Sequence, residues 1–281
     1  MRFERTVLLA ALAVSAVACS SDTNGVTNPA GPLAYIRYVE AIPDTGSVDF
    51  RAVDIVENLD ANNVGYGYVG AYHGVQPGNR HFKVFVDLAS SDINVVTQVM
   101  KDTTLTLAAG TYYTVLHTGF ARTTNAPKQH LQLITDSPAS PSSSQFALRT
   151  FLASPGALGA VDVYTTTDTT SALSGSPTYP NVAYLTPSAY SNFGTAASMF
   201  LRITQPASTT VLANSRILQG APANGVTSPI PGTSIGGSVL TAFIFAPNDT
   251  VSANVCTATA PGCKVAKFTR PVVVYAIDKR P

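Results

Sequence analysis

Gly232-Thr-Ser-Ile-Gly236 fits the frame G-x-S-x-G, in which a serine, here Ser234, sits on a sharp turn as a nucleophile. That chemistry needs a strand before the turn and a helix after it. The next residues, GSVLTAFIF (237–245), are rich in β-branched and aromatic types, so the five predict a glycine-rich hairpin loop. The four histidines, His73, His81, His117 and His130, form neither an i, i+4 pair nor an H-x-H set. Asp49, Asp54, Glu57 and Asp60 lack EF-hand spacing and read as solvated strand ends. No catalytic residue, metal site or cofactor is assigned. Asp49 and Asp162 each follow a valine inside an apolar run and are expected to accept hydrogen bonds, from backbone or from Arg37 and Arg149. Tyr66, Tyr68 and Tyr72 lie in GYGYVGAY (65–72). Tyrosines among glycines can form a contact surface for protein or sugar; in strands they can equally be half-buried packing.

The three cysteines divide by position. Cys256 and Cys263 flank TATAPG, whose Pro261-Gly262 is a turn signal. In an oxidising compartment they read as a disulfide worth roughly 2.5 kcal/mol on the chain-entropy model. Cys19 is left over, behind an N-terminus that reads as a secretory signal: Arg2 and Arg5, then an apolar run from Thr6 to Val17. That run falls short of the roughly 20 residues a bilayer span needs. Ala16-Val17-Ala18 is also an ordinary A-x-A cleavage site. Together with Cys19 these residues resemble the lipobox of bacterial lipoproteins. That resemblance implies a signal peptide over 1–18, a lipid on Cys19 and, with Ser20 rather than Asp next, sorting to the outer membrane. Each buried methylene would contribute about 0.8 kcal/mol to such an anchor. Residues 19–33 then read as a flexible tether with a reach on the order of 20 Å.

The overall balance favours an all-β, secreted kind of domain. Charged residues are only 12% of the chain, hydrophobic ones 45%, and Trp is absent. Losing Arg2, Glu4 and Arg5 with the leader takes the formal net charge from +1 to zero. No Lys/Arg cluster supplies the footprint that nucleic acid requires.

The elements that would position these residues repeat. Asn63-Val64 with Tyr66 and Tyr72 matches Asn181-Val182 with Tyr184 and Tyr190, an offset of 118. Arg37, Ala41 and Pro43 match Arg149, Ala153 and Pro155 at 112, and Val48-Asp49 matches Val161-Asp162 at 113. Phe82 meets Phe200 at 118, and GTYYTVLHTG (110–119) meets GSVLTAFIFA (237–246) at 127. QHLQLITD (129–136) and PVVVYAID (271–278) close the two runs. The offset only grows, as insertions along two copies of one fold would make it. Short runs rich in Val, Ile, Thr, Tyr and Phe, split by turn signals, predict an all-β chain of two tandem antiparallel β-sandwiches of immunoglobulin-like type. The first spans 34–136 and the second 146–281, across a Ser/Pro linker at 137–145.

Arg37 to Phe50, Arg149 to Val163 and LTLAAGTYYTVLHTG (105–119) resemble signatures of the domain of unknown function 4397, found in bacterial surface and secreted proteins. The resemblance implies an immunoglobulin-like sandwich, twice, and no known activity. The expectation is a non-catalytic lipoprotein of the bacterial envelope, periplasmic or surface-facing, with a binding or structural role. Its partners would be the membrane, through lipid, and an envelope protein or glycan. A carbohydrate-binding module is the alternative, and a hydrolase or metal-dependent enzyme is a more distant one.

Overall fold

The computed structural model describes residues 32–87, 98–248 and 267–281. The leader, Cys19, and the Cys256 and Cys263 pair lie outside the described residues. Leu33–Pro281 is one compact unit. It is all-β, as its sequence predicts, with no helix among the described residues.

The first half contributes β1 (Ala34–Ala41), β2 (Val48–Ala52), β3 (Tyr68–Val69), β4 (His73–Val75), β5 (Gly78–Val86), β6 (Val99–Leu107), β7 (Tyr112–Thr118) and β8 (His130–Asp136). The second half contributes β9 (Gln145–Leu152), β10 (Val161–Thr166), β11 (Tyr179–Val182), β12 (Ser191–Gly194), β13 (Phe200–Thr204), β14 (Val211–Arg216), β15 (Val239–Phe245) and β16 (Val272–Lys279). Each half builds two sheets. In the first they are β2-β5-β6 and β3-β1-β7-β8, with β4 also on β1; in the second, β11-β10-β13-β14 and β12-β9-β15-β16. All pairings are antiparallel except β1 with β7 and β9 with β15, which run parallel. The parallel pairs recur in one register: Arg37 lies opposite Thr114 and Arg149 opposite Thr241.

Burial follows the period-2 rule of strands and shows how the sheets stack. In β1, Ile36 and Tyr38 join the first core with Phe50, Phe82 and Val84 of the neighbouring sheet. The alternate residues Val39 and Ala41 face the other way, into a core shared with Phe151, Phe243 and Phe245. In β15, Leu240, Ala242 and Ile244 join the second half's own core, while Phe243 and Phe245 meet the first half. The four sheets therefore form four layers, with the β1–β7 and β9–β15 sheets face to face in the middle. This explains why YIRYVEA, TYYTVLHT, QFALRTFL and VLTAFIF read as nearly unbroken apolar runs: both faces of each strand are covered. By contrast β6, on an outer sheet, alternates exposed and covered residues.

Strand register corrects one match read from sequence. Ala52 pairs with Phe82, and its counterpart Thr165 pairs with Leu201. The partner of Phe82 is thus Leu201, one residue beyond Phe200. Burial agrees, since Phe82 and Leu201 are both fully buried and Phe200 is half-exposed.

The layering buries phenols. Burial pushes Tyr38, Tyr66, Tyr179 and Tyr275 above the ordinary value of 10.0. A raised folded pKa gives stability that is fully present below the unfolded pKa and lost as pH rises past it. Each such tyrosine then withdraws up to about 1.4 kcal/mol per pH unit above roughly pH 10. Alkaline titration should show tyrosinate absorbance and loss of the β circular-dichroism signal rising together, in one cooperative step above pH 10. Tyrosinate forming gradually at its ordinary pKa in a still-folded protein would contradict this burial.

Candidate functional site: the cleft between the halves

Three arrangements of polar residues stand out; two recur in both halves, and each does a different job. The first explains the Asn-Val frame. Asn63 and Asn181 adopt left-handed backbone, φ 52° and 49°, which asparagine tolerates better than most residues. Their amides donate to Asp49 Oδ1 at 2.8 Å and Asp162 Oδ1 at 2.7 Å. The second oxygens take Arg51 in the first half and the Ala207 amide, at 3.0 Å, in the second. Asp49 and Asp162 thus hold a backbone turn. Arg37 and Arg149 go elsewhere.

The second arrangement joins the halves. Arg37 Nε donates to Thr114 Oγ1 at 2.8 Å, and Arg149 Nε to Thr241 Oγ1 at 2.7 Å. Each threonine donates to the aspartate at or next to the end of its own half's last strand, Thr114 to Asp136 and Thr241 to Asp278, at 2.6 and 2.5 Å. The charges then cross over. Arg37 Nη1 lies 2.7 Å from Asp278 Oδ1, an ion contact off the hydrogen-bond axis, and Arg149 Nη2 bonds Asp136. Tyr72 and Tyr190 complete the set: their hydroxyls donate to Asp136 and Asp278 at 2.7 and 2.8 Å, and their rings lie 4.6 and 4.7 Å from the two guanidinium carbons. Arg37 is 1% exposed and both aspartate side chains are fully covered. Burial works against the Arg37 charge, but Asp278, Tyr72 and Asp136 outweigh it, so its pKa rises. Burial also pushes the Tyr72 and Tyr190 phenols up, helped by the aspartates and opposed by the arginines, so both remain hydrogen-bond donors.

The third arrangement occurs in one half only. Glu40, Tyr38 and His117 form a buried cluster: Tyr38 donates to Glu40, and His117 Nδ1 lies 2.8 Å from the same carboxylate. Glu40 also accepts the Ile42 amide at 2.9 Å, and His117 Nε2 faces Gln129 Oε1 at 3.0 Å. The counterparts by register are Thr150, Leu152 and Ile244, with no such cluster.

Above the crossed charges a cleft of about 950 Å³ opens. Its walls are the β3–β4 connection (69–72), the turn before β7 (110–112), the end of β8 and the end of β16. Tyr72 and Tyr112 meet edge to face, centroids 5.0 Å apart at 84°, and Tyr35 stacks on Tyr112 at 4.6 Å. Asp136 and Asp278 lie in its lining, and the exposed Lys279 and Arg280 line it as well. The site offers aromatic faces, backbone groups and two exposed cations, and its central charges are already paired.

Residues 34–164 match the family model of the domain of unknown function DUF4397. The DUF4397 match starts with β1 and ends within β10, so it covers the first half and the opening of the second. No curated protein matches the chain. A solved structure described as "Alpha-glucan binding by a streptococcal virulence factor" shares 11% identity over 65% of this chain and 87% of that one, with a TM-score of 0.20. At that score the likeness transfers neither fold nor function.

The structure separates the three tyrosines read as a candidate surface. Tyr66 is buried, with its hydroxyl on Ala246 O and Ser154 Oγ, both at 2.7 Å across the halves. Tyr68 is half-buried and donates to Asp60 O at 2.7 Å. Only Tyr72 faces the cleft. Ser234 donates to Gln219 O at 2.7 Å, in a loop that leads into β15. The histidines are scattered: His81 on Asp102 at 2.5 Å, His130 on Lys128 O at 3.1 Å, and His73 beside Asp60 at 3.8 Å. Among the described residues no three His, Cys, Asp or Glu side chains gather as a metal site. Sequence reading missed Asp136 and Asp278, although both end the aligned runs QHLQLITD and PVVVYAID.

Proposed function

We propose that this chain is a non-catalytic lipoprotein of the bacterial cell envelope, built from two DUF4397-like, immunoglobulin-like sandwiches, which binds a partner in the cleft between them. The observation that carries this reading is the cleft itself. It draws walls from both halves, has a volume in the range of small-molecule and oligomer sites, and presents Tyr72 and Tyr112 over paired charges. Paired carboxylates and phenols held protonated suit recognition better than proton transfer. Within this reading, the aromatic wall favours a glycan, because sugar faces stack on tyrosine rings and sugar hydroxyls meet backbone groups and the exposed Lys279 and Arg280.

Two experiments test it. Chain 20–281, screened on glycan and envelope-protein arrays, should bind, and Tyr112→Ala should weaken that binding at least tenfold; binding unchanged by Tyr112→Ala would move the site elsewhere. In the full chain, Cys19→Ser should shift the protein from the membrane to the soluble fraction. Continued membrane association without Cys19 would sink the anchor.

A further inference from the structure

The two halves finish one corner of their interface differently. Around Tyr66 the corner is closed. Its ring packs edge-on to Phe245, centroids 5.6 Å apart, and against Phe268 at 5.2 Å. Gly67, at φ +89°, makes this possible, because a Cβ there would lie 2.9 Å from the Phe268 ring. The segment bearing Phe268 is fixed by paired contacts to Asn248, the Asn248 amide on Phe268 O at 2.9 Å and the Phe268 amide on Asn248 Oδ1 at 2.7 Å. Every residue of the adjoining loop, 42–47, is buried.

Around Tyr184, the counterpart of Tyr66, the corner is open. Strand register places His130 opposite Thr118 and Val272 opposite Phe245, so Ala126 stands where the second half has Phe268. Tyr184 bonds Thr118 Oγ1 at 2.8 Å, yet its ring is only half-buried. Beside it lies a cavity of about 720 Å³, lined chiefly by Phe120, Pro127, Pro155, Leu158, Tyr184 and Pro247. The loop matching 42–47 exposes Gly156, Ala157 and Gly159. Leu185 takes the place that Gly67 leaves free in the first half, but it turns to the shared core and does not line the cavity. Among the described residues no charged side chain lines the cavity, which suits an occupant that is neutral and apolar where it enters.

We propose that this cavity is a second binding site, which docks an aromatic side chain carried on a peptide segment of another protein. The filled corner shows the mode: an aromatic ring beside the tyrosine, delivered by the loop that leads into β16 and continuous with the shared core. Three prolines and two aromatic rings give the cavity flat apolar walls on which an aromatic ring can pack.

The probe is the acetylated, amidated peptide KFTRP, which copies residues 267–271. Titrated into ¹⁵N-labelled chain 20–281, it should shift amide signals of Phe120, Ala126, residues 156–160 and Tyr184. Changing its Phe to Ala should weaken binding at least tenfold, and Ala157→Trp in the protein should abolish it. No shifts at millimolar peptide, equal shifts with the Ala peptide, or shifts confined to the Tyr72–Tyr112 cleft would each overturn the proposal. The Ala-peptide comparison uses unmodified protein, so the test stands even where Ala157→Trp fails to fold.

Discussion

Arg37→Met should destabilise the protein by about 3–5 kcal/mol, seen as a lower urea midpoint at unchanged slope. The methionine fills similar space but leaves the Asp278 carboxylate buried without its cation, 2.7 Å from where Nη1 stood. It also removes the donor to Thr114 and the cation over the Tyr72 and Phe243 rings. Arg37→Lys should recover only part of the loss, since an ammonium cannot serve Thr114 and Asp278 from one planar fork. Arg51→Met is the control: Arg51 is 56% exposed to water above the mostly buried Asp49, and a pair screened in this way is worth about 1 kcal/mol or less. Equal losses for Arg37→Met and Arg51→Met would mean that the crossed charges do no more than a surface pair.

The second large effect is expected at the buried cluster of the first half. Glu40→Leu alone should cost about 3–5 kcal/mol, because it strands Tyr38, His117 and the Ile42 amide without their acceptor. The second half shows the remedy, with Leu152 and Ile244 at the matching positions. Adding His117→Ile and Tyr38→Phe should therefore recover most of the loss, since replacing all partners of a buried polar cluster by apolar groups of similar shape can be nearly neutral. Urea midpoints of the single and triple variants decide this. A triple variant no more stable than Glu40→Leu would show that the first half cannot accept its neighbour's solution.

These residues also mark how far the sequence could be read. The growing offsets and β-rich runs were legible because strand period and turn residues act locally. Asn63 and Asn181 were legible as a repeat, and their left-handed backbone gives the repeat its physical cause. The choice of ion partner was not legible. Arg37 sits near Asp49 in sequence but pairs with Asp278 across the halves, and no spacing rule reaches over a face-to-face sheet contact. Nor could the sequence choose between Phe200 and Leu201 as the partner of Phe82. Both are large and apolar, and only strand register separates them. Tyr66 and Tyr72 looked alike for a similar reason. One is sealed in the shared core and the other stands in the cleft, and which face each meets depends on sheets brought together by the second half.

Charges exchanged between the halves lock them together. A double-mutant cycle on Arg37→Met and Asp278→Asn measures that exchange directly, by urea unfolding of the four proteins. The expected coupling is about 1.5–3 kcal/mol, with the double variant less damaged than the two single losses added together. Additive losses, agreeing to within about 0.3 kcal/mol, would contradict the lock.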